Sequence, residues 1–152
     1  VPSESLKDNT PVPLVHKSSA RLRILAIDDD PILLRSLRNA LEIDGHFIMT
    51  ADSGEAGITT FCAMLERKEP FDVVMTDLGM PYMDGRQVAS MVKRVSATPV
   101  ILLTGWGQRL IAESEIPPHV DRVLAKPPRL LELRRTLAEL CPNAASAPAG
   151  DR

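Results

Sequence analysis

The sequence predicts an α/β fold, a doubly wound sheet of five parallel strands with helices on both faces, and three observations lead there. From residue 21 onward five short, strongly apolar runs alternate with segments of helical periodicity. The runs are apolar at successive positions and not at every second one, the pattern of strands buried on both faces. Helix starts and stops separate them, as they do in βα units.

Residues 1–20 carry Pro2, Pro11 and Pro13 among Ser, Lys, Asp and Asn without a sustained apolar period, and read as a flexible tail or interdomain linker. Order begins near Arg21. Residues 22–27 form the first buried strand. Pro31 suits the first position of a helix whose apolar face is Ile32, Leu33, Leu37, Ala40 and Leu41, stopping at Asp44-Gly45. Residues 47–51 make the second strand, and Ser53 caps a helix with Ala56, Thr60, Ala63 and Met64 on one side, ending before Pro70. Residues 71–76 are the third strand. After the Asp84-Gly85 turn, Val88, Met91, Val92 and Val95 outline a helix, and residues 99–103 are the fourth strand. Residues 105–118 hold a fourth helix of two turns at most, because Pro117 and Pro118 cannot continue one. Residues 120–125 are the fifth strand. Leu130, Leu133, Leu137 and Leu140 then repeat at helical spacing, with Leu131 off that stripe, and a second flexible tail covers residues 142–152. The domain thus runs from 21 to 141.

With 152 residues, 44% hydrophobic and 25% charged, the chain suffices for one domain with a real core and is too short for two of ordinary size. A net charge of -2 and a pI near 5.9 supply no basic field for collecting phosphates, so nucleic acid is not an expected partner. No run approaches the roughly 18 apolar residues that span a bilayer, and the start lacks a basic-then-apolar leader. A soluble, cytoplasmic protein without a membrane partner is the expectation. Cys62 and Cys141 lie far apart and outside any metal-ligand spacing, which favours thiols in a reducing compartment over a disulfide. A first residue other than Met fits a piece of a longer protein, and the 26 residues beyond Lys126 leave no room for a C-terminal effector domain.

In such a sheet ligands gather at the carboxyl ends of the strands. Asp28 and Asp29 follow the first strand, Asp77 the third, Thr104 the fourth and Lys126 the fifth. Two carboxylates about 4 Å apart repel by about 4 kcal/mol at an effective dielectric of 20, so three in one pocket call for a cation. Neither His nor Cys is in the set, so a hard divalent ion such as Mg²⁺ suits it better than Zn²⁺. If phosphoryl transfer is the reaction, Asp77 attacks phosphorus, Mg²⁺ and Lys126 neutralise the equatorial oxygens, and Thr104 donates a hydrogen bond to one of them. The plainer reading of Asp28 and Asp29 is a helix cap. One acid suffices for a cap, and Asp30 is placed to be it. Asp84 serves its turn with Gly85. His16, His46 and His119 read as ordinary surface or loop residues.

Four motifs, Asp28-Asp29-Asp30-Pro31, the run from Thr76-Asp77-Leu78-Gly79 through Met80-Pro81-Tyr82-Met83-Asp84-Gly85, Thr104-Gly105 and Lys126-Pro127, resemble the receiver domain of two-component response regulators over roughly residues 21–141. The resemblance implies a flavodoxin-like sheet of strand order 2-1-3-4-5. It implies that Asp77 accepts a phosphoryl group from the phosphohistidine of a sensor histidine kinase or histidine phosphotransfer domain, giving an acyl phosphate. Mg²⁺ or Mn²⁺ would be held by Asp28, Asp29, Asp77 and the backbone carbonyl of Gly79. Thr104 and Lys126 would bind the phosphate and drive switching, and the Lys126-Pro127 peptide is often cis in this family. Such a domain is a signalling module and no enzyme beyond its own phosphorylation and dephosphorylation, with a weak homodimer as its expected self-association. Val123 stands where the family usually carries Tyr or Phe, so the aromatic reporter of switching is missing. Gly105, Trp106 and Val123 are candidate modulators, Trp106 as either a lid over the site or an exposed interaction residue. The text of residues 103–108, the Lys126-Pro127-Pro128 ending and a Pro/Ser leader are similar to receivers fused behind hybrid sensor kinases.

Two other readings stand beside it. A haloacid-dehalogenase-like phosphatase also uses an Asp nucleophile, Mg²⁺, a strand-end hydroxyl and a Lys, and Asp28-x-Asp30 matches its opening motif. Ile32 then stands where Thr or Val belongs, no acidic pair follows a late strand, and the run around Asp77 has no purpose. A degenerate receiver that only binds partners is the third, against which the intact acid triad and Lys126 speak.

Overall fold

The computed structural model of the chain describes residues 21–105 and 116–142. Five strands, β1 Arg23–Ile27, β2 Phe47–Ala51, β3 Val73–Asp77, β4 Val100–Thr104 and β5 Arg122–Ala125, form one parallel sheet in the order β2-β1-β3-β4-β5. The described helices are α1 Pro31–Ile43, α2 Gly54–Glu66, α3 Gly85–Val95 and α4 Leu130–Leu140. Fold class and strand order are those expected. The short helix expected within residues 105–118, Trp106 with it, and both tails lie outside the described residues.

Successive strand residues face opposite sides of the sheet, and both sides are covered. Ile24, Met75 and Leu103 meet Leu37 and Leu41 of α1 and Leu133 and Leu137 of α4. Leu25, Val74 and Leu102 meet Phe61 and Met64 of α2 and Val88 and Val92 of α3. With water excluded from both faces, the strand interiors are almost wholly apolar, which is why the strands read as nearly unbroken runs. The chain steps outward from β1 to β2 and then crosses back to β3. The loops after β1 and β3 therefore leave toward opposite faces and open a crevice at the carboxyl edge between them.

Helix starts follow the capping chemistry. The Asp30 carboxylate accepts the N–H groups of Ile32 at 3.0 Å and Leu33 at 3.4 Å, and Ser53 Oγ accepts that of Ala56 at 3.1 Å. Asp84 caps α3 through Arg86 and Gln87, and the Gln87 side chain returns the bond to the Asp84 N–H, a complete capping box.

Three helix faces are rotated from the sequence reading. In α1 the buried set is Leu33, Leu34, Leu37 and Leu41, and Ile32 is 77% exposed. In α2 it is Gly54, Gly57, Phe61 and Met64, with Ala63 exposed. The cause is Gly57, whose lack of a side chain lets α2 approach β1 so closely that a Cβ would overlap the Ile27 side chain. In α3 Ala89 packs inward and Val95 is 52% exposed. β3 also starts later than expected and includes Asp77, because Asp72 turns its carboxylate to the Arg23 N–H at 2.8 Å before the ladder begins. His46 is no bystander: its Nδ1 accepts the Leu22 N–H at 3.0 Å, and burial lowers its pKa, which keeps the neutral ring that this bond requires. Cys62 and Cys141 are both free, and burial pushes the Cys141 thiol up to about 11. Among the described residues no helix is long and apolar enough to cross a membrane.

Gly85 joins the fold to the site. Its N–H donates to the Leu78 carbonyl at 2.8 Å, and a Cβ there would overlap the backbone carbonyl of Asp77. Backbone cannot step aside as a side-chain tip can, so Gly85→Ala is expected to destabilise the domain by about 2 kcal/mol or more. Urea denaturation reads this as a lower midpoint, and an unchanged midpoint would show that the loop yields freely.

Candidate functional site

The acids end two neighbouring strands. β1 and β3 pair with Ile27 opposite Thr76, so one further residue on each strand places Asp28 beside Asp77. The Asp28 N–H donates to the Ala51 carbonyl of β2 at 3.1 Å, and the Asp30 N–H donates to Asp28 Oδ1 at 2.9 Å, which fixes the first carboxylate. Asp28 and Asp77 are buried, at 0% and 3% exposure, whereas Asp29 is exposed at the rim. From β5, Lys126 reaches over β4 and places its Nζ 3.1 Å from Asp28 Oδ2 and 3.0 Å from Asp77 Oδ1. Its own N–H donates to the Thr104 carbonyl at 2.9 Å, and the Lys126-Pro127 peptide is cis.

Among the described residues one ammonium faces three carboxylates, and the protonation equilibria register the imbalance. Burial raises the pKa of Asp28, the Asp77 charge adds to it, and the Asp30 N–H and Lys126 oppose without prevailing. Burial alone would lower Lys126, but its bonds to Asp77 and Asp28 outweigh that and hold it above the ordinary lysine value. Both groups cling to protons. A pocket that does so is short of positive charge, and carboxylate oxygens of Asp28, Asp29 and Asp77 all lie within 4.8 Å of one another. An all-oxygen donor set with that charge fits a hard divalent cation and offers nothing to a soft one.

Four expected site residues, Asp28, Asp29, Asp77 and Lys126, are thus brought together. Thr104 is near in sequence register but turned elsewhere: fully buried, it donates through Oγ1 to the Leu124 carbonyl of β5 at 3.4 Å. Gly79 is exposed in the loop after β3, Gly105 follows β4, and Val123 is half-buried against the core shared by α2 and α3. One feature of the rim escaped the sequence reading. Tyr82, in the β3–α3 loop, takes a positive φ of 68° and is 94% exposed, and no glycine or asparagine in the sequence announces it.

Asp28 also carries a pH dependence of unusual sign for a salt-bridged acid, because its burial outweighs its pairing with Lys126. Its folded pKa is raised, so its contribution favours folding below the unfolded value near 3.8 and is lost as pH rises through the folded value. In a metal-free buffer at neutral pH, Asp28→Asn should therefore stabilise the chain, a gain that shrinks as pH falls and the native carboxyl takes its proton. Urea midpoints from pH 7 down to pH 4.5 measure it. A variant less stable than the native chain at pH 7 would contradict it.

Comparison with known proteins places this geometry. The family model of the response regulator receiver domain matches residues 24–138. Two-component response regulator ORR24 of Oryza sativa subsp. indica is 35% identical over 113 residues, 74% of this chain and 18% of its own length. Transcriptional regulatory protein GlrR of Escherichia coli strain K12 is 35% identical over 105 residues, 68% of this chain and 22% of its own. The chain spans less than a quarter of either relative, so the low charge that argues against nucleic acid speaks for these 152 residues alone. Among solved structures, a response regulator receiver domain protein from Clostridium thermocellum superposes with a TM-score of 0.70 at 28% identity, over 83% of this chain and 98% of that one. Response regulator protein TrrA from Thermotoga maritima, in complex with Mg²⁺ and BeF, gives 0.67 at 28% identity over 78% and 98%. With a five-stranded 2-1-3-4-5 sheet and a family match over most of its length, the chain belongs to the response regulator receiver domain family.

Proposed function

We propose that the chain is a phosphoacceptor in a two-component relay. Asp77 takes a phosphoryl group from the phosphohistidine of a sensor kinase or phosphotransfer domain, and the resulting acyl phosphate sets the conformation of residues 21–141. The observation that carries this reading is a nearly buried carboxylate at the end of β3, held at 3.0 Å by Lys126 within an acid cluster. A carboxylate used only for packing would not be set among two other acids at such electrostatic cost.

An Asp77 oxygen forms the new bond to phosphorus as the phosphorus–nitrogen bond to the donor imidazole breaks; the nitrogen keeps the electron pair and takes a proton. Asp77 reacts as its carboxylate and needs no base. Asp28, Asp29 and Asp77, with the Gly79 carbonyl, would hold Mg²⁺ or Mn²⁺, which when bound supplies positive charge to the phosphoryl oxygens. Lys126 supplies the second positive charge and is already seated against Asp77. The Thr104 hydroxyl now spends its proton on a long 3.4 Å bond to Leu124, so exchanging that acceptor for a phosphoryl oxygen costs little and moves the hydroxyl away from β5. Reversal to the resting state is attack of water on phosphorus, releasing inorganic phosphate and restoring the carboxylate. The haloacid-dehalogenase alternative needs Asp30 as its acid, and Asp30 is committed to capping α1.

Asp77→Asn should lower labelling by radioactive phosphohistidine donor or acetyl phosphate more than roughly 100-fold with the circular dichroism spectrum unchanged. Stoichiometric labelling of that variant would refute the assignment. Lys126→Ala should slow labelling roughly 10- to 100-fold, as expected for removing one preorganised positive group. If it labels at the native rate, Lys126 merely balances charge in the resting pocket.

A further inference from the structure

Tyr82 stands in the loop between β3 and α3, five residues beyond Asp77. Its neighbours are all engaged. Met80 is buried, Met83 lies so close to Gly54 of α2 that a Cβ on that glycine would overlap it, and Asp84 caps α3. Between them the Met83 N–H donates to the Pro81 carbonyl at 2.7 Å, which closes a three-residue turn centred on Tyr82 with φ 68°. A turn of this kind with a positive central φ is rare and strained, and a bulky aromatic is a poor choice for it where Gly or Asn would be at ease. The side chain gains nothing inside the chain in return: it is 94% exposed, and no hydrogen bond or ring contact involves it among the described residues. Strain kept by well-anchored neighbours, with no internal reward, directs attention to an external one.

We infer that Tyr82 is an anchor for the protein that brings the phosphoryl group, inserting into an apolar recess of the phosphohistidine-bearing partner. The inference rests on the phosphoacceptor reading of Asp77. A macromolecular donor must lay its surface over the crevice at the carboxyl edge, and the rim it then meets carries Tyr82 on the β3 side and Ile32, 77% exposed, on the β1 side. A small donor meets neither. Tyrosine offers a large, rigid contact area at little cost in side-chain entropy and is among the residue types on which binding energy concentrates. A rigid strained turn presents it already placed, so no loop ordering is charged to the encounter.

The test compares two donors on four chains: the native one, Tyr82→Gly, Tyr82→Ala and Tyr82→Phe. The donors are acetyl phosphate and the autophosphorylated histidine kinase that labels the native chain fastest in a panel of purified kinases. With the kinase, Tyr82→Gly and Tyr82→Ala should lose about tenfold in the second-order rate of phosphotransfer, whereas Tyr82→Phe keeps most of it. With acetyl phosphate all four should label alike. Tyr82→Gly should also unfold at a urea concentration no lower than the native chain, since glycine relieves the turn. An unchanged kinase rate in Tyr82→Gly and Tyr82→Ala overturns the inference, as does an equal loss with both donors, which would place Tyr82 in the chemistry at Asp77 and not in docking. Failure of both donors to label the native chain at Asp77 overturns the phosphoacceptor reading and the inference with it.

Discussion

Among the described residues three carboxylates meet at one edge of the sheet with a single ammonium among them, and the structure around them is arranged to keep that imbalance in place. Left to itself, such a cluster would relax by swinging its acids into water. Asp28 is prevented by burial and by the N–H of Asp30, and Asp77 by its place as the last residue of β3. Lys126 relieves the two buried acids at 3.1 and 3.0 Å but does not neutralise the pocket. The raised pKa of Asp28 and the raised pKa of Lys126 express one fact: the site is built to take up positive charge and whatever positive charge brings with it.

Rigid and movable parts divide cleanly. The acids project from strands whose two faces are sealed by separate cores, one toward α1 and α4 and one toward α2 and α3. Parallel pairing of β1 with β3 fixes their spacing to that of adjacent strands, and no rotamer change can undo it. The groups proposed to answer a bound phosphate come from farther away and are freer. Lys126 spans β4 on a flexible four-carbon stem, and the Thr104 hydroxyl has only a long bond to lose. An edge of fixed acids facing adjustable donors is suited to a switch, because the charge stays put while its neighbours choose between partners.

The parts legible in the sequence were those set by pattern. Five apolar runs gave the strands, and acids or a lysine ending three of them gave the site, since a parallel sheet presents its strand ends to one crevice. Rotations of the helices were not legible. They depend on how closely a helix can approach, which for α2 is decided by the absent side chain of Gly57 against Ile27, a contact between residues thirty apart in sequence. The direction of the Thr104 hydroxyl was hidden for a similar reason, since a hydroxyl finds its acceptor in three dimensions. His46 looked idle because nothing in its surroundings reveals that its ring ties the start of β1. The turn at Tyr82 was hidden because positive φ is normally signalled by Gly or Asn, and here the flanking Pro81, Met83 and Asp84 enforce it instead.

Val123 stands where the family commonly carries an aromatic side chain and packs as a small, half-buried group against the α2–α3 core, so no ring at this position is available to change rotamer. Where the phosphoryl group arrives decides the role proposed for Asp77. The most direct measurement is to phosphorylate the native chain with acetyl phosphate and Mg²⁺, reduce the product with borohydride, which converts an aspartyl phosphate to homoserine, and locate the change by peptide mass spectrometry. Conversion confined to position 77 and dependent on Mg²⁺ is the result expected. Homoserine at Asp28 or Asp29, or none at all, would contradict it.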